Sequence, residues 1–247
     1  MNFLITNDDG IWAPGLQALA GALAEIGKVW IVAPDRERSA ASHSITVHKP
    51  LIPKAVELKL GEQAAWNVNG TPADCVKLAL EVLMPEPASW VCSGINLGAN
   101  LATDVLYSGT VSAAAEATLY TLPAVAVSVV EQTEDFSTAA NFVRDFLRQF
   151  MEKPMESPTL LNINVPSGTP KASRVTTLGV RRYCNVFEKR VDPHGRQYFW
   201  MSGERVDCTD DPESDLVAVQ EGKISITPLS FQLTDQRMRQ ELMARGW

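Results

Sequence analysis

The chain has no Cys-x-x-Cys pair, no Cys/His ligand run, no long apolar stretch and no excess of basic residues, and each absence closes a class of function. Its four cysteines, Cys75, Cys92, Cys184 and Cys208, are widely spaced, which argues against a disulfide framework and against structural zinc. Cys92 lies in an apolar run and reads as a small buried hydrophobe. Met1-Asn2-Phe3-Leu4-Ile5 leads straight into polar residues, without the basic flank or apolar length that secretion or membrane spanning needs. A soluble, cytoplasmic protein with no membrane partner is expected. Lys and Arg number 22 against 29 Asp and Glu, a net charge of -7. Such a surface repels a polyphosphate backbone, so no nucleic-acid partner is expected. A single small phosphate ester is still compatible with it, provided a cation reverses the field locally.

What the chain does have is material for a large core: 45% of its 247 residues are hydrophobic, which excludes wholesale disorder and fits one large domain, or one domain with an appendage. The first two-thirds alternates short apolar runs with helical patterns. Asn2 to Thr6, Val29 to Ala33, Trp90 to Cys92, Ala124 to Val130 and Leu160 to Val165 read as buried strands. Gly15 to Ile26, Thr110 to Leu119 and Phe136 to Phe150 read as helices, as does a segment opened by Thr71 as N-cap with Pro72 at the first helical position and running through Leu83. This alternation predicts an α/β fold with a doubly wound, mostly parallel sheet covered by helices on both faces. Ligands of such a sheet sit in loops at the carboxyl ends of its strands.

The last third differs. Val180 to Met201 gathers Tyr183, Phe187, Tyr198, Phe199 and Trp200 around the turn signal Asp192-Pro193-His194-Gly195, which predicts a long hairpin. Its basic residues, Arg181, Arg182, Lys189, Arg190 and Arg196, are interspersed with Glu188 and Asp192, so a solvated hairpin is expected rather than a nucleic-acid patch. The chain accordingly divides into a catalytic core, residues 1–170, and a C-terminal part, residues 171–247, with the hairpin and a terminal helix.

Three loops at predicted strand ends could carry chemistry. Asn7-Asp8-Asp9-Gly10 follows the first strand. Two adjacent carboxylates at the end of a buried strand lose hydration and need positive compensation, which a divalent cation supplies economically. In a continuing strand they would point to opposite faces; they converge only if the chain turns, and Gly10 permits that. The second loop, Pro34-Asp35-Arg36-Glu37-Arg38-Ser39-Ala40-Ala41-Ser42-His43-Ser44, offers neutral oxygens at Ser39 and Ser42. Its arginines either meet an anion or pair with Asp35 and Glu37, and His43 is a lone loop histidine. The third runs from Ser93 to Ser108. There Asn96 and Asn100 offer amides, and Ser108-Gly109-Thr110 stands at a helix start with free N–H groups suited to phosphate, unless Ser108 or Thr110 merely caps the helix. Pooled, the ligands are hard oxygens without His or Cys, which selects magnesium, manganese or calcium over zinc and favours metal-assisted hydrolysis.

Five ordered motifs, Thr6-Asn7-Asp8-Asp9-Gly10 with Gly15 after it, Ala33-Pro34-Asp35-Arg36-x-x-Ser39, Asn69-Gly70-Thr71-Pro72-x-Asp74-Cys75, Ser93-Gly94-Ile95-Asn96-x-Gly98-x-Asn100 and Tyr107-Ser108-Gly109-Thr110-Val111, resemble the SurE family of stationary-phase survival nucleotidases over nearly the whole chain. The resemblance implies a Rossmann-like domain and a metal-dependent phosphomonoesterase acting on nucleoside 5′-monophosphates, with 3′-monophosphates and short polyphosphate as further candidate substrates. It places one divalent cation per subunit, magnesium or manganese, on Asp8, Asp9, Ser39 and Asn96, with Asp8 and Asp9 as the catalytic carboxylates. It assigns Asn100, Ser108, Gly109 and Thr110 to the substrate phosphate, and a homodimer or homotetramer to the C-terminal part. The tail departs from the family pattern: Thr227-Pro228-Leu229 matches, but Gln232 stands where Asp is common and no histidine follows.

Other classes also put an acidic pair after a first strand. A nucleoside hydrolase-like glycosidase uses a longer Asp cluster on calcium, and Thr6 stands where a further Asp would be needed. Zinc deacetylases need a neighbouring histidine where this chain has Asn7. A non-catalytic, metal-gated nucleotide sensor would bind with the same residues without turnover.

Overall fold

The computed structural model describes residues 1–130, 135–152, 159–208 and 211–247. Its centre is a nine-stranded sheet built around β1 (Asn2–Thr6). The chain passes through α1 (Pro14–Ala24) to β2 (Lys28–Pro34), then through β3 (Pro53–Val56) to β4 (Ala64–Val68). From α2 (Pro72–Leu78) it crosses back over β1 to β5 (Trp90–Leu97), α3 (Gly109–Leu119), β6 (Ala124–Val129), α4 (Ser137–Glu152) and β7 (Leu160–Val165). The parallel strands stand in the order β4-β2-β1-β5-β6-β7. Strand order therefore reverses between β1 and β5, and the crevice beyond their carboxyl ends is where a doubly wound sheet binds ligands.

The layers follow from period-two alternation in strands buried on both faces. Phe3 and Ile5 of β1, Val29 and Ile31 of β2, and Val125 and Val127 of β6 face one layer, packed with Leu16, Leu19 and Leu23 of α1 and Val143 and Leu147 of α4. Leu4, Val32, Ala124 and Ala126 face the other, against Cys75 and Val76 of α2 and Val111, Ala113, Ala114 and Ala117 of α3. Each large aliphatic side chain so buried contributes about 1.5–3 kcal/mol relative to exposure. Thr71 caps α2 as expected, its hydroxyl accepting from Asp74 N–H while the Asp74 carboxylate takes the Thr71 N–H, a reciprocal capping box.

Several elements differ from the sequence expectation. The helix opened by Thr71 ends at Leu78 and is followed by a π-helical turn, Ala79–Leu83. The strand expected over Trp90 to Cys92 continues through Asn96 to Leu97, because pairing with β6 resumes at Asn96↔Ser128 after a register shift. The sheet also takes strands from beyond residue 170. Strand β8 (Ser173–Val175) lies parallel to β13 (Ile224–Leu229), which runs antiparallel to β7. The long hairpin is two ladders in series: β9 (Arg181–Cys184) pairs with β12 (Glu204–Asp207), and β10 (Phe187–Val191) with β11 (Gln197–Met201) around the Asp192–Gly195 turn. Two helices complete the chain, α5 (Asp215–Gln220) and the exposed α6 (Gln236–Ala244). All four cysteines are free, Cys75 and Cys92 buried, Cys184 and Cys208 exposed. Among the described residues no helix is long and apolar enough to cross a membrane.

Candidate active site

At the end of β1 the chain turns as the acidic pair requires. The Asn7 side chain clamps Gly10 from both sides, donating Nδ2 to its carbonyl (3.0 Å) and accepting its N–H at Oδ1 (3.2 Å). Gly10 adopts φ +98°, and a Cβ there would lie 3.2 Å from the backbone carbonyl carbon of Arg36. The turn and the loop after β2 are laced together by Ile11 N–H to Pro34 O (3.0 Å) and Arg38 N–H to Asp8 O (2.7 Å). The second loop, with Ser39, is thereby held beside the first.

Asp8 is sealed, with 5% of its surface exposed. Thr110 donates its hydroxyl to Asp8 Oδ1 (2.5 Å) and its backbone N–H to the same carboxylate, so the first turn of α3 orients it. The contact depends on Gly109: a Cβ there would stand 2.8 Å from both Asp8 Cβ and Oδ2. Ser108 is the N-cap of α3, its hydroxyl accepting from Val111 N–H at 3.1 Å. Capping and orientation of Asp8 are thus what these two hydroxyls do within the protein itself.

Asp9 is only half-buried and accepts the N–H of Leu97, the residue after Asn96 at the end of β5. The Asn96 amide nitrogen is committed to Gly98 O (2.8 Å), so its oxygen is the end left to meet a cation. Ser39 is exposed, and its hydroxyl donates to Glu37 at 2.6 Å. Glu37 adds charge that the sequence reading did not assign to the site. Arg38 pairs with Asp35 (3.2 Å), but among the described residues Glu37 pairs with no arginine, and its field reaches both Asp8 and Asp9. Only proximity in the fold separates these two acids; in the sequence both lie in one loop of mixed charge.

The electrostatics follow from burial and like charge. Burial, then the neighbouring Asp8 and Glu37 charges, push the Asp9 carboxyl up to about 6, against one backbone N–H. Burial also raises Asp8, partly offset by the Thr110 hydroxyl and backbone. Among the described residues no group of three or more His, Cys, Asp or Glu side chains is arranged to hold a metal ion. The residues still fit a hard dication: two carboxylates supply the charge, Ser39 and Asn96 the neutral oxygens, and among the described residues neither Asp8 nor Asp9 is paired with a basic side chain.

Asn100 is built into the sheet rather than left in a loose loop. Its N–H donates to Asn164 Oδ1 (2.8 Å), its carbonyl accepts from Asn162 (2.8 Å) and Asn164 (3.0 Å), and its side-chain amide donates to Ser128 Oγ (2.8 Å). All four residues are buried, so the network holds Asn100 in one place. Asn162 and Asn164, polar at alternate positions of an otherwise apolar strand, were the sequence signal for this support. His43 also has a defined partner: its Nε2 lies 2.8 Å from Glu116 Oε2 on α3, whose other oxygen accepts from Lys77 of α2 (2.8 Å). Arg181, expected on a solvated hairpin, is instead 8% exposed and paired with Asp104 and Asp207, whereas Arg190 and Arg196 pair with Glu188 and Asp192 as a solvated hairpin would.

Comparison with known proteins gives one family. The family model described as "Survival protein SurE" matches residues 3–185. A protein of Pelotomaculum thermopropionicum named 5'-nucleotidase SurE is 52% identical over 244 residues, covering 98% of this chain and 94% of that protein. One from Moorella thermoacetica with the same name is 50% identical, covering 99% and 95%. Among solved structures, the SurE protein from Aquifex aeolicus superposes with a TM-score of 0.85 at 35% identity, covering 99% of each chain.

Proposed function

Because this chain belongs to the SurE family, we propose that it is a metal-dependent phosphomonoesterase that hydrolyses nucleoside 5′-monophosphates to nucleoside and inorganic phosphate. The observation that carries the reading is the pair Asp8 and Asp9, set at the strand-order reversal inside the Asn7–Gly10 turn, raised by burial and, among the described residues, without an ion-pair partner. That arrangement is costly for a protein unless it serves a cation.

Asp8, Asp9, Ser39 and Asn96 would hold one magnesium or manganese ion. When bound, that ion offsets charge on the phosphoryl oxygens and makes a nearby water more acidic. The remaining work falls to the chain. Asp9, the more accessible carboxylate, orients the attacking water and takes up its proton, while Thr110 keeps Asp8 in one rotamer. Asn100, Ser108 and the backbone N–H of Gly109 at the start of α3 hold the phosphate oxygens, using a helix start whose dipole favours anions, while Thr110, whose hydroxyl and N–H both go to Asp8, fixes that carboxylate beside them. The same donors would accept a 3′-phosphate or the end of a short polyphosphate, which we include as secondary substrates.

The reading extends to assembly in the cytoplasm as a homodimer or homotetramer through the C-terminal part. The outer ladder of the ribbon exposes Phe187, Val191, Phe199, Trp200 and Met201, a concentration of apolar surface on a two-stranded element that is marginal alone. Product analysis tests the activity. Incubated with a nucleoside 5′-monophosphate and magnesium or manganese, the purified chain releases phosphate, and a chelator stops it. Release of free base instead would establish a glycosidase, and tight binding without product a sensor; either overturns the proposal.

A further inference from the structure

The segment joining Asn100 to Ser108 contains a 3-10 turn, Ala102–Leu106, and its restraints come largely from the far end of the chain. Arg181 opens β9 at the root of the ribbon with its side chain 7% exposed. Its Nη1 donates to Asp104 Oδ2 (2.8 Å), and its Nε and Nη2 donate to Asp207 (2.7 and 3.3 Å). The Arg181 carbonyl accepts the Thr103 hydroxyl (2.6 Å), and Tyr183 donates its hydroxyl to the other oxygen of Asp104 (2.8 Å). Asp215, at the start of α5, accepts Ala102 N–H (2.7 Å) and Gly179 N–H (2.9 Å). On the opposite side Ser42, three residues after Ser39, bonds to Leu106 O (2.7 Å) and Tyr107 O (3.2 Å).

A surface ribbon has no need of a buried guanidinium, and burying one is expensive unless its donors are met by carboxylates in good geometry. Here they are met, and one of the two carboxylates belongs to the segment between the residues assigned to phosphate. We propose that Arg181 is a positioning residue for substrate binding: with Tyr183 it latches residues 101–107 through Asp104, so that the segment leading into Ser108 is held in place relative to Asn100, which the sheet already fixes. The proposal rests on the assignment of those two residues to the phosphate. It makes the ribbon root part of the substrate site, so a change in how the ribbon sits is felt there.

The test compares wild type, Arg181→Met, Arg181→Lys and Tyr183→Phe by three readouts: kinetics on a nucleoside 5′-monophosphate, manganese binding by calorimetry, and backbone hydrogen exchange. The Met variant should raise KM about tenfold to a hundredfold, the range for misplacing a substrate contact by about an ångström. Its kcat should fall less, and its manganese affinity should change less than KM, because Asp8, Asp9 and Asn96 lie on other anchors and only Ser39 shares a loop with Ser42. Amides of residues 101–107 should exchange faster while those of β1 and β5 keep wild-type protection. The Lys variant, which keeps the charge without the fork, should fall between. Should Arg181→Met fail to fold, Tyr183→Phe removes one hydroxyl from a 41% exposed residue and must show the same pattern in smaller degree. Unchanged KM and unchanged exchange at 101–107 in a folded variant, or a loss of thermal stability alone, overturns the latch. Wild type without phosphate release would instead defeat the substrate reading, and the exchange data would still decide the latch.

Discussion

Replacing Gly109 with Ala separates the chemistry of the site from the stability of the fold. Position 109 opens α3, so Ala is locally acceptable there and glycine's extra backbone entropy would be removed, a gain of about 0.4–1 kcal/mol. Against it stands the new Cβ, 2.8 Å from Asp8 Cβ and Oδ2 and 3.1 Å from Cγ, where ordinary contacts begin near 3.4 Å. Asp8 is buried and fixed by Thr110, so the strain is relieved only by moving its carboxylate or the helix start by several tenths of an ångström. Overpacking of this kind costs about 1–3 kcal/mol. The net loss is at most about 2.6 kcal/mol, a drop of up to about 5–10 °C in Tm for a chain of this length. The activity should fall by about tenfold to a hundredfold in kcat/KM, since Asp8 and the helix start are displaced together. Gly21→Ala is the control: an added Cβ at this mid-helix site meets nothing within 4 Å, so it should gain about 1 kcal/mol without altering turnover. Phosphate-release kinetics and thermal melts on the three proteins measure both quantities. A Gly109→Ala enzyme with wild-type kcat/KM would refute the close approach of α3 to Asp8 as a catalytic requirement.

Acidification should weaken the cation. With Asp9 at about 6, about nine-tenths of that carboxylate is protonated one pH unit lower, so manganese affinity by calorimetry should drop about tenfold between pH 7.5 and pH 5. Stability of the cation-free protein moves the other way. A folded pKa raised above the unfolded 3.8 means the Asp9 contribution is fully present below about 3.8 and is lost as pH rises through about 6. Melting curves in chelator should show that slope, and Asp9→Asn should flatten it; a slope that persists in the variant assigns it to another group. For assembly, replacing residues 187–201 with a short turn keeps Arg181 and the β9–β12 ladder but removes the exposed aromatics. Light scattering should then give a lower mass than wild type, and an unchanged oligomer would locate the interface elsewhere.

The core and the acidic pair were legible in the sequence because both are local signals. Alternation sorts Phe3 and Ile5 from Leu4, and Gly10 marks the turn that Asp8 and Asp9 require. What escaped was set by contacts distant in sequence. The stretch Ser93-Gly94-Ile95-Asn96-Leu97 has the composition of a loop, yet β6 beside it supplies the ladder that keeps it extended. Arg181 read as one of five surface cations; only the return of β12 and the approach of Asp104 make it a buried latch. Glu37 entered the site for a similar reason, since Arg38 chose Asp35. Charge spacing along the chain does not decide such pairings, because they depend on which loops the sheet brings together.

The proposed cation-dependent phosphoryl hydrolysis stands or falls on the adjacent carboxylates at the end of β1. The most direct measurement is phosphate release from a nucleoside 5′-monophosphate by wild type and Asp9→Asn over a manganese titration. Wild type should show saturable, chelator-sensitive turnover, and the variant a loss of orders of magnitude at every metal concentration. Equal turnover of the two proteins would contradict it.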